Sequence, residues 1–313
     1  MEKKFDVLSI GLIVQDILVK PVPGQLLEVD AVNVDDCKYM PGGDALNQSV
    51  ILSRLGAKVG LVGKIGADLS GKMLLTYVKE SGVDVSNVKI DSYGSTGTSI
   101  VLINENGDRN FIIHTGSNST FSIDDIDDSI IGQTRLISIG SFFGLQMLDG
   151  AGAQKLFKKA RENNVITVAD AVRDRKNIGL RGIKGVLEYT DIFAPSFIEA
   201  KALTNETEPE KMADVLLEYG VKSVVIKLGD KGCFIKSNGI SGIIPSYKTK
   251  VVDTTGAGDN FIAGLITGIL KGWNIWESGA FGNAVGALSV RSVGATGQVE
   301  NMEQVLEYIN NSK

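Results

Sequence analysis

Apolar strand-like runs alternate with amphipathic helical segments along most of this chain, and this alternation limits the folds it can adopt. The first apolar run, residues 6–11 (DVLSIG), is typical of a buried strand that ends in a glycine turn. Strands separated by helices pair in parallel through right-handed crossovers, which predicts an α/β fold with a doubly wound, mostly parallel sheet flanked by helices. The predicted helices are 45–55, 69–81, 154–163, 209–219, one from 256 onward and 276–290, and the predicted strands include 58–63, 165–169 and 223–228.

Two segments interrupt this alternation. In residues 16–40, β-branched and polar residues alternate around two prolines and a glycine, and in residues 97–114 two alternating runs flank a turn at 105–107. We expect these segments to form a small separate sheet that covers the larger one as a lid. The prediction is therefore one domain over residues 1–313, with lid insertions at about 14–40 and 96–115.

Charge and composition favour a small-molecule partner. The 32 basic and 37 acidic side chains give a net charge of −5, which argues against a nucleic-acid partner. Cys37 and Cys233 are far apart and His114 is the single histidine, so neither a disulfide framework nor a zinc site is expected. The charged N-terminus and the lack of a long apolar run predict no membrane span and a cytoplasmic protein.

The segment 251–264 (VVDTTGAGDNFIAG) is the strongest candidate site. Gly256, Ala257 and Gly258 stand at the predicted start of a helix, where free backbone amides can bind an anion. Asp259 would repel that anion, so its presence indicates another task. It could take a proton from a hydroxyl that attacks a phosphoryl group held by the three amides. The alternative is that Asp259 only stabilises the helix N-terminus.

A second candidate is the segment 41–55, in which Gly42 and Gly43 precede a helix with Asn47 in its first turns. Backbone amides and an amide side chain suit sugar hydroxyls, whereas the alternative is a glycine turn with Asp44 as a helix cap. Residues 66–73 (GADLSGKM) nearly match a phosphate-binding P-loop. We reject that interpretation because Met73 stands where a metal-binding hydroxyl is needed.

Together, the two candidate segments closely resemble the two signatures of the PfkB-type, ribokinase-like carbohydrate kinases, in that family's order and spacing. The resemblance extends over nearly the whole chain, through LIVQD, GDR, KLGDKG and GATG. It implies a ribokinase-like fold and transfer of the γ-phosphoryl group of ATP, with Mg²⁺, to a hydroxyl of a small carbohydrate. The catalytic base would be Asp259, and the amides of Gly256, Ala257 and Gly258 would form the anion hole.

The resemblance also implies a role for further residues. Those expected to bind the sugar are Asp16, Gly42, Gly43 and Asn47. Those expected to contact the nucleotide are Lys227, Gly229, Gly232 and Asn283. Glu199 is expected to act on Mg²⁺ through water. A monovalent cation, K⁺, is common in the family, and the residues that match its site are Asp253, Thr255, Ser289, Ser292 and Gly294.

The chain departs from the family's pattern at three places. Ser196 replaces the Asn of the family's Asn-x-x-Glu motif, and Asp44 stands where ribokinases have Lys. The Glu that grips ribose in ribokinases falls near Ser141 and Phe142, which makes ribose a doubtful substrate. Arg109 is a candidate for binding an acidic or phosphorylated sugar.

Alternatives remain open for several residues and for the function. Arg109, Arg173 and Arg175 could instead be solvated surface charges, and His114 is expected to be structural. A nucleoside kinase of the same fold and a non-catalytic sugar sensor are the alternative functions. Apolar residues on the outer face of the lid, including Ile100 and Leu102, predict a homodimer formed through the lid.

Overall fold

The computed structural model describes residues 3–312 and contains two separate β-sheets. The larger sheet has nine strands and the smaller has four. The nine strands are β1 (Phe5–Ile10), β4 (Val59–Gly66), β5 (Asp84–Asp91), β8 (Thr134–Phe142), β9 (Ile166–Ala171), β10 (Ile192–Phe193), β11 (Ser223–Lys227), β12 (Cys233–Ser237) and β13 (Ile240–Ile244). The four are β2 (Val14–Lys20), β3 (Asp36–Gly42), β6 (Gly97–Ile103) and β7 (Arg109–His114).

The strand order of the large sheet is β13-β12-β11-β10-β9-β8-β1-β4-β5. Every pair from β5 to β11 is parallel, and only the β12 and β13 pairings at one edge are antiparallel. The predicted mostly parallel sheet is confirmed. The chain leaves β1 toward β4 on one side and returns to β8 on the other. Ligands of such sheets bind beyond the carboxyl ends of the strands at this reversal.

Helices cover both faces of the large sheet. They are α1 (Asp44–Arg54), α2 (Leu69–Glu80), α3 (Asp128–Ile131), α4 (Ala151–Glu162), α5 (Gly179–Leu187), α6 (Phe197–Thr204), α7 (Pro209–Glu218), α8 (Ala257–Leu270), α9 (Ile275–Ser289) and α10 (Met302–Asn311). Successive side chains of a strand point to opposite faces, so Leu8 and Ile10 of β1 join one hydrophobic cluster and Val7 joins the other.

Local signals explain most of the helix boundaries. Asp68 caps α2 by accepting a hydrogen bond from the amide of Gly71, and Pro209 is the first residue of α7. Asn274 and Glu277 form a reciprocal capping box at the start of α9. These signals are local in sequence, which is why the predicted bounds agree with the observed ones to within a few residues.

The small sheet, which we call the lid, has the order β3-β2-β6-β7 and is built from the two predicted insertions. Strand β2 pairs antiparallel with β3 and parallel with β6, while β6 and β7 form an antiparallel hairpin. All six residues of β7 are exposed. In the part of the chain that the structure describes, no helix is both long and apolar enough to cross a membrane.

Candidate functional site

The turn before α8 creates a small anion cradle. Gly256 has a φ of 71°, and a side chain there would collide with Ala295, so glycine is required. The amides of Gly256 and Gly258 have no acceptor among the described residues. The amide of Ala257 donates to the carbonyl oxygen of Thr254 at 3.2 Å. Two of the three amides indicated by the sequence are therefore free to bind an anion.

Asp259 lies beside this cradle in the first turn of α8. Its Oδ2 accepts a hydrogen bond from Nδ2 of Asn47 at 2.8 Å. The residue keeps some exposed surface, but burial of its carboxyl group raises the pKa, while Asn47 and the ammonium group of Lys227 act in the opposite direction. A carboxylate with a raised pKa next to an anion site is suited to accept a proton.

The start of α1 faces Asp259. Gly43 has a φ of 91° and approaches the carbonyl oxygen of Leu12 too closely for a side chain. Asn47, in the first turn of α1, is 5% exposed. Its Oδ1 is buried and has no hydrogen-bond partner among the described residues. An acceptor buried in this way is satisfied when a hydroxyl group binds next to it.

Asp44 also lies at the site, although the sequence analysis assigned it no role other than that of a helix cap. That alternative is wrong, because Gly43 precedes the helix and no side chain caps it. The carboxylate of Asp44 instead accepts hydrogen bonds from Oγ of Ser141 and from the amide of Leu12. Burial raises its pKa to about 8. The sequence feature that could have indicated this position in the site is Asp44 itself, because ribokinases have Lys there.

Asp16, on strand β2 of the lid, also lies near Asp259. It lies opposite Met40 of β3 and Ser99 of β6, and the nearby hydroxyl of Ser99 acts to lower the pKa of its carboxyl group. The carboxylate rests against Gly42, where a Cβ would overlap it. Burial raises the pKa of Asp16 to about 6, and the nearby carboxylate of Asp259 adds to this shift.

A cavity of about 660 Å³ lies on the other side of the α8 turn, between α8, α9 and residues 246–251. It is lined by all four residues that the resemblance assigned to the nucleotide, namely Lys227, Gly229, Gly232 and Asn283. Nδ2 of Asn283 donates to the carbonyl oxygens of Ile244 and Pro245, at 3.0 and 3.2 Å. Asn283 therefore fixes the segment that borders the cavity.

A second cavity, of about 360 Å³, lies next to the first. Lys227, Gly229, Thr254, Ala257 and Gly258 line both cavities. The second cavity also reaches Asp44, Gly140, Gly256 and Asp259. The free amides of the cradle therefore lie between a large cavity and the group of acidic side chains.

Two more carboxylates line the second cavity. Asp170, which the sequence analysis missed, forms an ion pair with Lys227, and burial raises its pKa to about 7. Glu199 accepts a hydrogen bond from the amide of Ser196 at 2.7 Å, and Oγ of Ser196 accepts one from the amide of Glu199. Ser196 thus caps α6 at the position where the family's motif has Asn.

These carboxylates fit a magnesium ion that is bound mainly by phosphate and water. Mg²⁺ in nucleotide sites typically takes only one or two protein carboxylates and keeps several waters. Asp170 and Glu199 offer oxygens of this kind in one cavity. No group of three or more His, Cys, Asp or Glu side chains arranged for a metal occurs within residues 3–312.

Arg109 lies outside the group of acidic residues and contacts the segment before α8. Its Nη2 donates to Oδ1 of Asp253 at 2.8 Å, and its Nη1 donates to Oγ1 of Thr255 at 2.6 Å. Asp253 also accepts hydrogen bonds from Thr255 and from the amide of Gly294 at 3.0 Å. These donors lower the pKa of Asp253 to about 2, against the effect of its burial.

The remaining residues of the expected cation site are near this carboxylate only in part. Gly294 donates its amide to Asp253, whereas Oγ of Ser289 donates to the carbonyl oxygen of Gly286. Oγ of Ser292 is buried without a hydrogen-bond partner in the described chain. The structure therefore connects Asp253, Thr255 and Gly294 directly, but not the two serines.

The other candidates of the sequence analysis are not among the residues that line the two cavities. Arg173 and Arg175 are exposed. His114 is also exposed, at the end of β7, and its Nε2 hydrogen-bonds Oγ of Ser95 at 2.7 Å. The P-loop-like segment is the capped start of α2, as expected for a simple turn.

Comparison with known protein families gives a match over most of the chain. Residues 4–302 match the family described as pfkB family carbohydrate kinase. The chain is 35% identical over 244 residues to an uncharacterized sugar kinase of Archaeoglobus fulgidus, covering 78% of this chain and 96% of that protein. It is 29% identical over 283 residues to a ribokinase of Haemophilus influenzae, covering 87% and 88% of the two chains.

Solved structures show the same fold. A ribokinase of Thermotoga maritima superimposes with a TM-score of 0.84 at 25% identity, covering 98% of this chain and 100% of that one. An E. coli protein assigned as ribokinase II, in complex with ATP and Mg²⁺, gives a TM-score of 0.85 at 25% identity. That match covers 99% of this chain and 100% of the other.

Proposed function

The chain belongs to the pfkB family of carbohydrate kinases, and from this premise we propose that it transfers the γ-phosphoryl group of ATP to a hydroxyl of a small sugar. Asp259 is the proposed general base, and the free amides of Gly256 and Gly258 are the proposed anion hole. The observation that carries the proposal is the adjacency of the two cavities, with these amides lining the second and Asp259 at its acidic side.

Binding of the acceptor sugar would use groups on helix α1 and on the lid. The unpartnered Oδ1 of Asn47 would accept a hydrogen bond from a sugar hydroxyl, which removes the cost of burying it alone. The carboxylate of Asp16 would accept a second one from the lid side. Asp44, which lines the second cavity next to Gly140, would provide a further hydrogen-bond acceptor. This set of acceptors fits a substrate with several hydroxyl groups.

Phosphoryl transfer would occur between the two cavities. ATP in the larger cavity would direct its terminal phosphate at the amides of Gly256 and Gly258, where Lys227 adds a positive charge. Asp259 would take the proton of the attacking hydroxyl, and the amides would stabilise the charge that develops on the phosphoryl oxygens. Positioning and electrostatic stabilisation supply most of the catalysis in such reactions.

Mg²⁺, when bound with the nucleotide, would neutralise charge on the phosphate groups. Asp170 and Glu199 are the residues that would hold it, directly or through water. Lys227 stays paired with Asp170, so its ammonium group remains near the phosphates. We also propose that the enzyme is cytoplasmic, because its proposed substrate ATP is available there.

The lid would close over the sugar and exclude water, which limits wasteful hydrolysis of ATP. The contact of Arg109 with Asp253 and Thr255 supports this role, because it ties β7 to the segment before the anion hole. A monovalent cation at Asp253 would have to compete with the guanidinium group of Arg109. We therefore propose at most a weak dependence on K⁺.

The lid would also form the interface of a homodimer. Strand β7 is an edge strand, and Phe111, Ile112 and Ile113 on it are 58%, 55% and 45% exposed. Exposed apolar edge strands tend to pair with another chain. Light scattering at micromolar concentration should give the mass of a dimer, and a monomeric mass would contradict this interface.

The decisive experiment measures ADP release with ATP and Mg²⁺ over a panel of acceptors. The panel contains neutral sugars such as D-fructose and D-ribose, sugar acids, sugar phosphates, and the nucleosides adenosine and inosine. We expect turnover with at least one neutral sugar. Turnover with nucleosides alone would identify a nucleoside kinase, and sugar binding by calorimetry without ADP release would identify a sensor.

A further inference from the structure

A second amide on α1 faces the carboxyl group of Asp259. Gln48 follows Asn47 directly and is completely buried. Oγ of Ser138, on β8, donates a hydrogen bond to its Oε1 at 3.0 Å. This contact holds the amide oxygen, and the amide lies close enough to Asp259 to lower the pKa of that carboxyl group.

The nitrogen of this amide is an unsatisfied donor. Nε2 of Gln48 is buried and lies within hydrogen-bonding geometry of no acceptor in the described part of the chain. A buried donor without a partner destabilises the folded state, so its presence beside the candidate site calls for a functional explanation.

The main chain of β8 passes close to the amide of Gln48 at Gly140. A Cβ at Gly140 would lie 2.7 Å from Nε2 of Gln48 and 2.7 Å from Oδ1 of Asp44. The end of β8 can therefore approach α1 only because residue 140 is glycine. Ser138 and Gly140 together hold the amide of Gln48 against the site.

Asn47 and Gln48 have different tasks if the proposed function is correct. In this structure Asn47 donates to Asp259, yet it is also the residue proposed to bind a sugar hydroxyl. Asn47 can bind the sugar through Oδ1 while its Nδ2 stays on Asp259, and a second donor on the carboxylate would fix its orientation more firmly. Gln48 is the adjacent amide with a donor still free.

From this arrangement, and resting on the proposed function, we propose that Gln48 is a positioning residue. Oriented by Ser138, it holds the carboxylate of Asp259 in line with the acceptor hydroxyl while Asn47 binds the sugar. A donor next to a carboxylate stabilises the ionised form, so Gln48 also lowers the pKa of Asp259, opposing the increase caused by burial.

The charged groups that face Asp259 come from four elements. They are Asp16 on β2, Asp44 on α1, Glu199 on α6 and Lys227 on β11. The test leaves all four unchanged and alters only neutral side chains.

The chain offers a closely matched control. Ser9 of β1 pairs in register with Ser138 of β8, and both serines are completely buried. Oγ of Ser9 donates to the carbonyl oxygen of Ala45 at 3.0 Å, and no hydrogen bond joins it to Gln48. Ser138→Ala and Ser9→Ala thus remove the same buried hydroxyl from neighbouring strands, and only the first releases the amide of Gln48.

The experiment titrates the Asp259 carboxyl carbon by ¹³C NMR in the full chain, with its signal identified from Asp259→Asn. Ser138→Ala and Gln48→Leu should both raise the pKa of Asp259, and Ser9→Ala should leave it unchanged. With an active sugar, both variants should lower kcat at neutral pH by up to about tenfold and shift the acid limb of the pH profile upward. Ser9→Ala should retain the parental profile.

An unchanged titration of Asp259 in Ser138→Ala would overturn the proposal, as would an equal shift in Ser9→Ala. Ser138→Ala keeps the test valid if Gln48→Leu fails to fold. The titration needs no substrate, so it distinguishes failure of this proposal from failure of the proposed kinase activity, which would show as no ADP release from the parent enzyme.

Discussion

The candidate site joins two regions of opposite character. Strand β8 of the large sheet has eight of its nine residues buried, whereas all six residues of β7 in the lid are exposed. The buried region supplies the anion cradle and Asp259, and the lid supplies Asp16 and Arg109. The difference indicates that the densely packed sheet and helices position the reacting groups. In the proposed function, the more exposed lid would select the sugar and exclude water.

The strongest test of this division is Asp259→Asn in the buried region. Loss of the general base should lower kcat by at least about a hundredfold, because proton transfer to a positioned base contributes about 10²–10⁴-fold. ATP binding, measured by calorimetry, should be unchanged. Near-parental turnover of the purified variant on its best sugar would remove Asp259 from the mechanism.

A matching change in the lid is Asp16→Asn. The amide keeps the shape of the side chain but loses the charge that accepts a sugar hydroxyl, so the KM for the sugar should rise about 10–100-fold. The value of kcat should fall much less. Asp36→Asn is the control, since Asp36 lies on β3 and pairs with surface lysines of the lid. Equal effects of both variants would contradict a direct role of Asp16.

The connection between the two regions is tested by Arg109→Gln. Loss of its ion pair with Asp253 should loosen the lid, raise the sugar KM about threefold to tenfold and increase ATP hydrolysis without sugar. Activity should also respond more to KCl than in the parent enzyme. Arg135→Gln removes a more exposed ion pair with Asp6 and is the control. Parental KM and hydrolysis in Arg109→Gln would show that the contact does not link the regions.

A last test concerns stability against pH and does not depend on activity. The pKa of Asp44 in the folded chain is about 8, above its ordinary value, so the free energy of unfolding should fall as pH rises from about 4 to 8. Asp253, whose pKa is about 2, should instead stabilise the fold above about pH 4 and lose this effect toward pH 2. In urea denaturation, Asp44→Asn should reduce the loss of stability at high pH. An unchanged pH dependence would contradict the raised pKa.

Much of the fold was predictable because its signals are local. The predicted helix 69–81 is observed as Leu69–Glu80, where Asp68 caps it and Gly82 adopts a positive φ just after its end. The antiparallel hairpin of β12 and β13 was not predicted, since alternation of strands and helices says nothing about the edge of a sheet.

The sequence predicted the residues of the candidate site only where they belong to a short motif. Glycines that permit a turn and a carboxylate that follows them are adjacent in sequence, so Gly256 to Asp259 could be recognised. Asp170 belongs to no such motif. It lies at the site as the partner of Lys227, which comes 57 residues later in the sequence. Its pairing with that residue depends on how β9 and β11 lie on either side of β10 in the sheet.

The sequence by itself determined the class of fold, the lid insertions and the two glycine-rich helix starts, because each is encoded by neighbouring residues. Only the tertiary structure decided which amides remain free, that Arg109 pairs with Asp253, and that Asp44 and Gln48 meet β8. These contacts join residues 90 or more positions apart, as Ser138 and Gln48 are. Their geometry follows from the packing of whole helices and strands, which no local pattern specifies.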